Sequence, residues 1–253
     1  MVKHLVNRQW LLSSRPEGMI SVDHFAPAIA SVAEPDDGQL VVRVTHIAYE
    51  PAMRGWVREV PGHGANLPIG AVMKASGAGE VIVSRHPGFQ PGDKVTGMFG
   101  WQEYATVDVG GQLLPVQKLP DRVTEEMALS VLGITGLTAY FGMLDVGRPR
   151  AGDTVVVSGA AGATGSIAGQ LARISGCRVI GIAGGKDKCK WLTGEAGFDA
   201  AIDYKTDDVS AHLKRLCPAG IDVFYDNVGG TILEAALDNI AVGSRIVICG
   251  GIS

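Results

Sequence analysis

Residues 154–165 read TVVVSGAAGATG, an apolar strand that runs directly into a glycine-rich turn. The stretch after the turn, 165–175, predicts a helix because Ile167, Leu171 and Ile174 fall on one helical face. A strand, a glycine turn and an amphipathic helix in this order form the setting of a dinucleotide-binding site. The segment therefore predicts a doubly wound α/β domain.

The glycines of this turn follow the pattern G-x-x-G-x-x-G, whereas the usual dinucleotide fingerprint is G-x-G-x-x-G. Small residues still allow the backbone to approach a pyrophosphate, and the next helix directs free N–H groups and its positive dipole end at that anion. A tight turn without a ligand is the alternative. The cofactor-binding residues expected here are Gly159, Ala161, Gly162, Ala163, Thr164 and Gly165.

The remainder of this half alternates between strands and helices, which is typical of a parallel sheet with helices on both faces. Further strands are predicted at 178–182, 201–203, 222–225 and 244–250, and helices at 186–195, 209–216 and 232–240. A helical stretch over 127–144, broken near Gly133 and Gly136, precedes the first strand.

The end of the second strand bears on the choice of dinucleotide. An NAD enzyme carries an acid there for the ribose 2′-OH, but this strand ends in IAGG, with Gly184 at its third position and no carboxylate. Lys186, Lys188 and Lys190 follow at once, which favours a 2′-phosphate and hence NADPH. A solvated basic helix face is the alternative, since Asp187 lies among the lysines.

The first half of the chain has the pattern of a β-rich domain. Short strands are predicted at 40–48, 79–84, 93–97 and 101–107, separated by Gly and Pro turns, which suggests a small barrel or sandwich. We expect two domains, 1–126 and 127–253. The glycine count of 35 is about twice the usual share, partly because such turns need positive φ.

Composition and charge exclude several functional classes. The chain has 253 residues, a formal net charge of −4 and 46% hydrophobic residues, and it lacks the basic surplus of nucleic-acid proteins. No apolar run approaches the ~20 residues of a membrane span, and the first ten residues do not resemble a secretory signal. The four cysteines form no C-x-x-C pair. We expect a cytoplasmic protein with reduced thiols and neither nucleic-acid nor membrane partners.

Two other dehydrogenase chemistries do not fit the sequence. Residues 1–176 contain no cysteine and only scattered histidines, so no cysteine–zinc site is expected there, and we predict no metal. None of the five tyrosines has a lysine four residues later, as a short-chain dehydrogenase would require.

Several motifs together resemble a known family. They are NRQW at 7–10, EPAMRGW at 50–56, TGLTAY at 135–140, AAGATG at 160–165, DYK at 203–205, DNVGG at 226–230 and ICGGIS at 248–253. This set, spread over nearly the whole chain, is similar to the zinc-free medium-chain dehydrogenase/reductases, in particular the NADPH-dependent 2-alkenal, curcumin and prostaglandin reductases. The resemblance implies a GroES-like barrel domain followed by a Rossmann domain.

The resemblance also implies a reaction, the reduction of a C=C bond conjugated to a carbonyl. Hydride from NADPH would reach the β-carbon and a proton the α-carbon, without a metal, while hydrogen bonds stabilise the enolate. Quinone reduction and non-catalytic NADPH binding are the alternatives. The expected partners are a small-molecule enone, alkenal or quinone and, when the protein is full length, a second copy in a homodimer.

Individual roles follow from the same resemblance. Lys188 and Tyr204 would contact the adenosine 2′-phosphate, and Asn227, Cys249 and Gly250 the nicotinamide side. The alternatives are that Asn227 is a turn residue, that Tyr204 caps a strand and that Tyr49 is a core residue. The further expected residues are Thr135, Thr138, Met127 and Gly184 for the cofactor, and Tyr49 for catalysis.

The chain departs from this family in two respects. Members are longer, so we expect the chain to lack a sixth Rossmann strand, the C-terminal return to the first domain and a Tyr-Asn segment that carries a candidate proton donor. The absent strand would leave an exposed sheet edge. Glu50 stands where many relatives have Asp, with little expected effect. Residues 58–67 are expected to shape substrate specificity.

Overall fold

The computed structural model describes residues 2, 4–58, 67–110 and 114–251. The chain forms two compact units, 1–129 and 130–253.

The first unit consists mainly of antiparallel strands. β1 and β2 pair with each other, and the remaining strands form a sheet in the order β6-β3-β4-β5-β7. Its elements are β1 (Val6–Leu12), β2 (Phe25–Ser31), β3 (Gln39–Ile47), α1 (Ala52–Val57), β4 (Ser76–Ser84), β5 (Lys94–Met98), β6 (Tyr104–Asp108), β7 (Gln117–Lys118) and α2 (Glu125–Leu129), with a 3₁₀ turn at Val22–His24.

One hydrophobic cluster of the first unit is formed by residues of its larger sheet. Leu40, Val42, Val81, Val95 and Ala105 are fully buried and pack together. They come from strands that the sequence predicts, because alternation of apolar and polar residues indicates a half-buried strand.

In the first unit, the sequence prediction misses strands β1, β2 and β7 and starts the strand predicted at 101–107 too early. β1 reads VNRQWLL, in which polar residues break the alternation, and β2 contains Pro27. The strand predicted at 101–107 begins at Tyr104, because Gly100 adopts φ +73° and residues 101–103 form bends around an isolated bridge from Gln102 to Gln9.

The second unit contains the predicted parallel sheet, in the strand order β10-β9-β8-β11-β12. The strands are β8 (Thr154–Ser158), β9 (Arg178–Ala183), β10 (Ala200–Asp203), β11 (Ile221–Asp226) and β12 (Ile240–Ile248). The helices are α3 (Ile134–Tyr140), α4 (Ala163–Ile174), α5 (Lys186–Gly194), α6 (Val209–Leu216) and α7 (Gly230–Leu237), and a π-helical segment spans Phe141–Gly147. β12 is an edge strand of this sheet and exposes Val242 and Ile248.

Helix α4 buries a different set of residues from the one that its apolar spacing predicts. Ile174 is 82% exposed, whereas small residues of α4, Ala168, Gly169 and Ala172 among them, are buried. A Cβ on Gly169 would overlap the ring of Phe198, so the small side chains allow this helix to approach its neighbours closely. The close approach, rather than the large apolar residues alone, determines which way the helix faces.

The helical stretch before β8 is interrupted at one predicted glycine but not at the other. The break falls at Gly133, while Gly136 lies inside α3, where a Cβ would overlap the Val131 carbonyl oxygen. After Tyr140 the helix widens into the π segment, and a Cβ on Gly142 would lie 2.7 Å from the Tyr225 hydroxyl. π segments often mark functional sites.

Across the described ranges, no helix is both long and apolar enough to pass through a membrane.

Candidate functional site

The carboxyl ends of the parallel strands meet at one edge of the sheet, and the chain order reverses between β8 and β11. Such a reversal is where open α/β sheets bind ligands. Most of the predicted cofactor residues come together at this edge of the second unit. They are the turn residues Gly159, Ala161, Gly162, Ala163, Thr164 and Gly165, together with Gly184, Tyr204, Asn227, Cys249 and Gly250.

The turn after β8 is tight and depends on glycine. Gly159 adopts φ +57°, and its carbonyl oxygen accepts a hydrogen bond from the Gly162 N–H at 2.9 Å. The Ala160 N–H donates to the Ile182 carbonyl at 3.0 Å, which ties the turn to β9. A Cβ on Gly165 would overlap the Gly159 carbonyl oxygen, so α4 can begin here only without a side chain.

The N-terminus of α4 fits an anion. Its N-cap residue, Gly162, provides no side-chain hydrogen bond, and the first N–H groups of a helix have no partner within it. The N–H groups of Ala163, Thr164 and Gly165 are therefore available to a ligand. Together with the glycine turn, they form a cradle of the kind that a pyrophosphate occupies.

A buried polar network joins the ends of β8 and β11. Ser158 and Asp226 are both buried, and the Ser158 hydroxyl donates to Asp226 Oδ1 at 2.7 Å. Asn227 binds Ser158 twice: its backbone N–H donates to Ser158 Oγ at 2.8 Å, and its Nδ2 donates to the Ser158 carbonyl at 2.7 Å. The side chain of Asn227 therefore has a defined orientation.

The same aspartate also holds the end of β12. The Asp226 carbonyl accepts hydrogen bonds from the N–H groups of Cys249 at 2.8 Å and Gly250 at 3.1 Å. Gly250 approaches closely, since its Cβ would lie 3.1 Å from the Asn227 carbonyl oxygen. Three strand ends are thus fixed around one residue.

Tyr225 anchors α3 beneath this edge. Its side chain is fully buried, and its hydroxyl donates to the Thr138 carbonyl at 3.0 Å. Burial raises the pKa of Tyr225 well above its ordinary value, and the nearby Cys249 thiol raises it further, so the phenol stays protonated. Thr138 is exposed on α3 and Thr135 is half-buried there.

The ends of β9 and β10 form the region predicted for the 2′-phosphate. Gly184 leaves room for the ring of Tyr204, because a Cβ at Gly184 would lie 2.7 Å from that ring. Tyr204 is 49% exposed, and its backbone N–H donates to the Ala183 carbonyl. Lys188 is exposed in the first turn of α5, which has no side-chain cap.

A carboxylate also lies in this region, at the end of β10. Asp203 Oδ1 accepts hydrogen bonds from the N–H groups of Gly185 at 2.8 Å and Lys205 at 3.1 Å. The Gly185 bond is the main cause that lowers the pKa of Asp203. The carboxylate therefore orders the loop of Gly184 and Gly185.

The other two predicted site residues, Tyr49 and Met127, lie in the first unit. Tyr49 is 78% exposed, so the alternative that it is a core residue is wrong. Met127 is exposed on α2, and its N–H donates to Thr124 Oγ1 at 3.2 Å. Of the predicted specificity segment 58–67, residues 59–66 lie outside the described part of the chain.

Tyr49 lines a pocket of about 970 Å³ in the first unit. Aromatic side chains form part of its lining: the centroid of the Trp101 ring lies 5.2 Å from that of Phe25 and 6.1 Å from that of Tyr49. Trp10 and Ile29 add apolar surface. Arg8, His46 and Glu103 also line the pocket, and a cavity that combines apolar surface with a few polar groups is the usual form of a small-molecule site.

Sequence reasoning missed three functional candidates: Ser158, Asp203 and Asp226. Each is a buried polar residue at the last position of a buried strand. That position is a usable signal, because a polar residue at the end of an apolar run needs hydrogen-bond partners from neighbouring loops. Within the described residues, no group of three or more His, Cys, Asp or Glu side chains is arranged to hold a metal.

Two family models match the chain. One, described as the N-terminal domain of oxidoreductase, matches residues 8–116, and the other, described as zinc-binding dehydrogenase, matches residues 163–253.

Individual relatives cover nearly the whole chain. It is 39% identical over 247 residues to the NADPH-dependent curcumin reductase of Escherichia coli (strain K12), a match that spans 98% of this chain and 71% of the relative. The chain is also 40% identical over 220 residues to the 2-alkenal reductase (NADP(+)-dependent) of Nicotiana tabacum. This match spans 85% of this chain and 62% of the relative. The solved structure of CurA in complex with NADPH from Vibrio vulnificus matches with a TM-score of 0.88 at 37% identity, over 94% of this chain and 70% of that one.

Proposed function

Because this chain belongs to the medium-chain dehydrogenase/reductase family, in the group that contains the curcumin and 2-alkenal reductases, we propose that it reduces the C=C bond of α,β-unsaturated aldehydes and ketones with NADPH. The observation that carries the proposal is the cradle after β8, where a glycine turn and the open N–H groups of α4 fit a pyrophosphate.

The choice of NADPH over NADH is assigned to the ends of β9 and β10. β9 ends at Ala183, and the glycines that follow carry no carboxylate of the kind that binds a ribose 2′-OH at this position. The nearby Asp203 carboxylate is bonded by the N–H groups of Gly185 and Lys205. Lys188 and the exposed ring of Tyr204 are the proposed contacts of the 2′-phosphate. Gly184 contributes by allowing that ring to approach.

In the proposed reaction, the chain positions the cofactor and the substrate and supplies hydrogen bonds. Bound NADPH supplies a hydride to the β-carbon of the substrate. Asn227, Cys249 and Gly250 are proposed to hold the nicotinamide end, with Thr135, Thr138 and Met127 as further cofactor contacts. The enolate oxygen is stabilised by hydrogen-bond donors rather than by a metal ion.

Tyr49 is the proposed catalytic residue of this chain. Its exposed ring lines the pocket of the first unit, in which the apolar body of an enone is proposed to bind. The phenol can donate a hydrogen bond to the carbonyl oxygen of the substrate, where negative charge develops. The first unit is thus proposed to bind the substrate, and the second to bind the dinucleotide.

The protein is further proposed to act as a cytoplasmic homodimer.

A comparison of two lysine variants tests the proposal. Lys188→Ala should weaken NADPH binding about tenfold or more and leave NADH binding unchanged, since a charge-assisted contact to phosphate is lost. Lys214→Ala, an exposed lysine in the last turn of α6, is the control and should change neither. Fluorescence titration gives both affinities.

Turnover is then measured as NADPH oxidation with a panel of enones, alkenals and quinones. Oxidation with enones and alkenals supports the proposal. Oxidation with quinones alone would assign a quinone oxidoreductase, and NADPH binding without any turnover would assign a non-catalytic binding protein.

A further inference from the structure

The polar network around Asp226 contains more hydrogen bonds than the pairing of strands β8 and β11 requires. Asp226 Oδ1 accepts three hydrogen bonds: from the Ser158 hydroxyl at 2.7 Å, the Val228 N–H at 3.1 Å and the Gly229 N–H at 3.0 Å. Asp226 Oδ2 is buried without a partner in the described part of the chain. Burying a carboxylate oxygen without a hydrogen-bond partner is unfavourable, so the network has a cost in stability that pairing of the strands does not require.

Every loop that the network touches carries proposed cofactor residues. Ser158 precedes Gly159, whose Cβ position lies 3.4 Å from Asn227 Cβ. Asp226 precedes Asn227, and its carbonyl binds the N–H groups of Cys249 and Gly250. A change at Ser158 or Asp226 would therefore displace Asn227, Cys249 and Gly250 together, although neither side chain is exposed to a ligand.

The network also determines what Asn227 can offer. Its Nδ2 donates to the Ser158 carbonyl at 2.7 Å, and only the nitrogen of the amide can donate to a carbonyl oxygen. The amide is thus turned so that Oδ1, an acceptor, is left for a ligand. A matching group would be a hydroxyl or amide N–H at the nicotinamide end of the dinucleotide.

We infer that Ser158 and Asp226 are positioning residues that hold Asn227, Cys249 and Gly250 in the geometry that binds the nicotinamide half of NADPH. This inference rests on the proposed function. It predicts that a change in the network weakens the binding of the nicotinamide half more than that of the adenosine half. The reason is that the adenosine 2′-phosphate is assigned to the ends of β9 and β10, to which the network makes no hydrogen bond.

The test measures the binding of NADPH and of 2′,5′-ADP, which lacks the nicotinamide half. Ser158→Ala and Asp226→Ala should weaken NADPH binding about tenfold or more, as expected for the loss of buried hydrogen bonds, and 2′,5′-ADP binding less than about threefold. Asp226→Asn should retain NADPH binding within about threefold, because its amide oxygen can accept the same three bonds.

Asp222→Ala is the matched control. Asp222 also joins β11 to β8, through the Thr154 N–H at 2.8 Å, but at the opposite ends of these strands. It should lower the melting temperature without changing the affinity for either ligand. Calorimetric titration measures the affinities of all four variants, and thermal unfolding measures their stabilities. Should Asp226→Ala not fold, Ser158→Ala, which loses a single oxygen, is sufficient for the test.

Three results would overturn the inference. They are unchanged NADPH binding in Ser158→Ala, an equal loss of NADPH and 2′,5′-ADP, or an equal loss of NADPH binding in Asp222→Ala. Failure of the unaltered chain to bind NADPH would overturn the proposed function as well, whereas a silent Ser158→Ala in a chain that binds NADPH would overturn the inference alone.

Discussion

The candidate site depends on single residues that few other side chains could replace, because of their backbone conformation or their packing. Gly165 and Gly184 matter because they lack a side chain: the first lets α4 begin against the Gly159 carbonyl, and the second admits the ring of Tyr204. Ser158 and Asp226 matter because they are polar where their strands are otherwise apolar. Substitutions at these positions should therefore weaken NADPH binding even where the replaced group would not itself contact the cofactor.

Gly165→Ala should both destabilise the second unit and weaken NADPH binding. The added methyl would overlap the Gly159 carbonyl oxygen, and relieving such a clash costs about 1–3 kcal/mol. Because the clash lies in the proposed pyrophosphate cradle, we expect about tenfold weaker NADPH binding, from displaced N–H groups. Urea unfolding and fluorescence titration measure the two effects.

Gly194→Ala is the control for this change, since nothing lies within 4 Å of its Cβ position on α5. Replacing a helical glycine there should leave binding unaltered and raise stability slightly. A Gly165→Ala variant with the affinity and stability of the unaltered chain would contradict the proposed cradle.

Tyr49→Phe should lower kcat for enone reduction about 10- to 100-fold and change KM little, because a hydrogen bond to developing charge is lost while the ring remains. The edge contact of the ring with Trp101 should persist. Steady-state kinetics measures the effect, and Tyr140→Phe, another exposed tyrosine, serves as the control. An unchanged kcat would remove Tyr49 from the chemistry.

Between elements, one arginine connects strand β12 to the segments that precede β8. Arg245 Nε donates to the Gly147 carbonyl at 2.9 Å, and its guanidinium lies 2.6 Å from the Asp153 carboxylate. Burial alone would raise the pKa of Asp153, but hydrogen bonds from Arg245 and from the Arg150 N–H outweigh it, so the pKa lies below its ordinary value. This partly buried pair fastens the π segment and β8 to the sheet edge.

Arg245→Met should lower the free energy of unfolding by about 2 kcal/mol at neutral pH, since it removes charged hydrogen bonds from a partly buried pair. The lowered pKa of Asp153 means that its contribution is fully present above the pKa of an unfolded Asp, about 4, and is lost as the pH falls through the folded value. The difference between variant and unaltered chain should therefore shrink below about pH 4.

Urea unfolding at several pH values measures this dependence. Arg173→Met, which breaks a more exposed pair with Asp199, should cost less than about 0.5 kcal/mol at any pH. A deficit in Arg245→Met that stays equal from pH 7 to pH 3 would show that Asp153 does not contribute through its charge.

For the molecule as a whole, each compact unit has its own core, and most of the proposed cofactor residues belong to the second. NADPH at 100 times its dissociation constant should stabilise the protein by about 2.7 kcal/mol. Hydrogen exchange should show the gain in the turns after β8, β9 and β11. The turn 218–220, at the opposite edge of the same sheet, is the internal control, and stronger protection there would contradict the proposed site.

The order of elements in the second unit could be predicted from the sequence because its signals are local. The β8 strand and α6 have the predicted bounds, and the glycine turn and the carboxylate-free end of β9 are visible in short stretches of residues. Turn geometry and helix periodicity depend on neighbours within a few positions, so they need no knowledge of the fold.

Only the tertiary structure decided which distant residues meet. Ser158 bonds Asp226 across 68 positions, Gly169 faces Phe198, Ile174 is exposed although the apolar spacing predicts a buried face, and Tyr49 is open rather than part of the core. These outcomes depend on which strands pair and how closely helices approach the sheet. Sequence spacing determined the candidates along the chain, and packing determined the partners, because contacts between distant segments exist only once the sheet has formed.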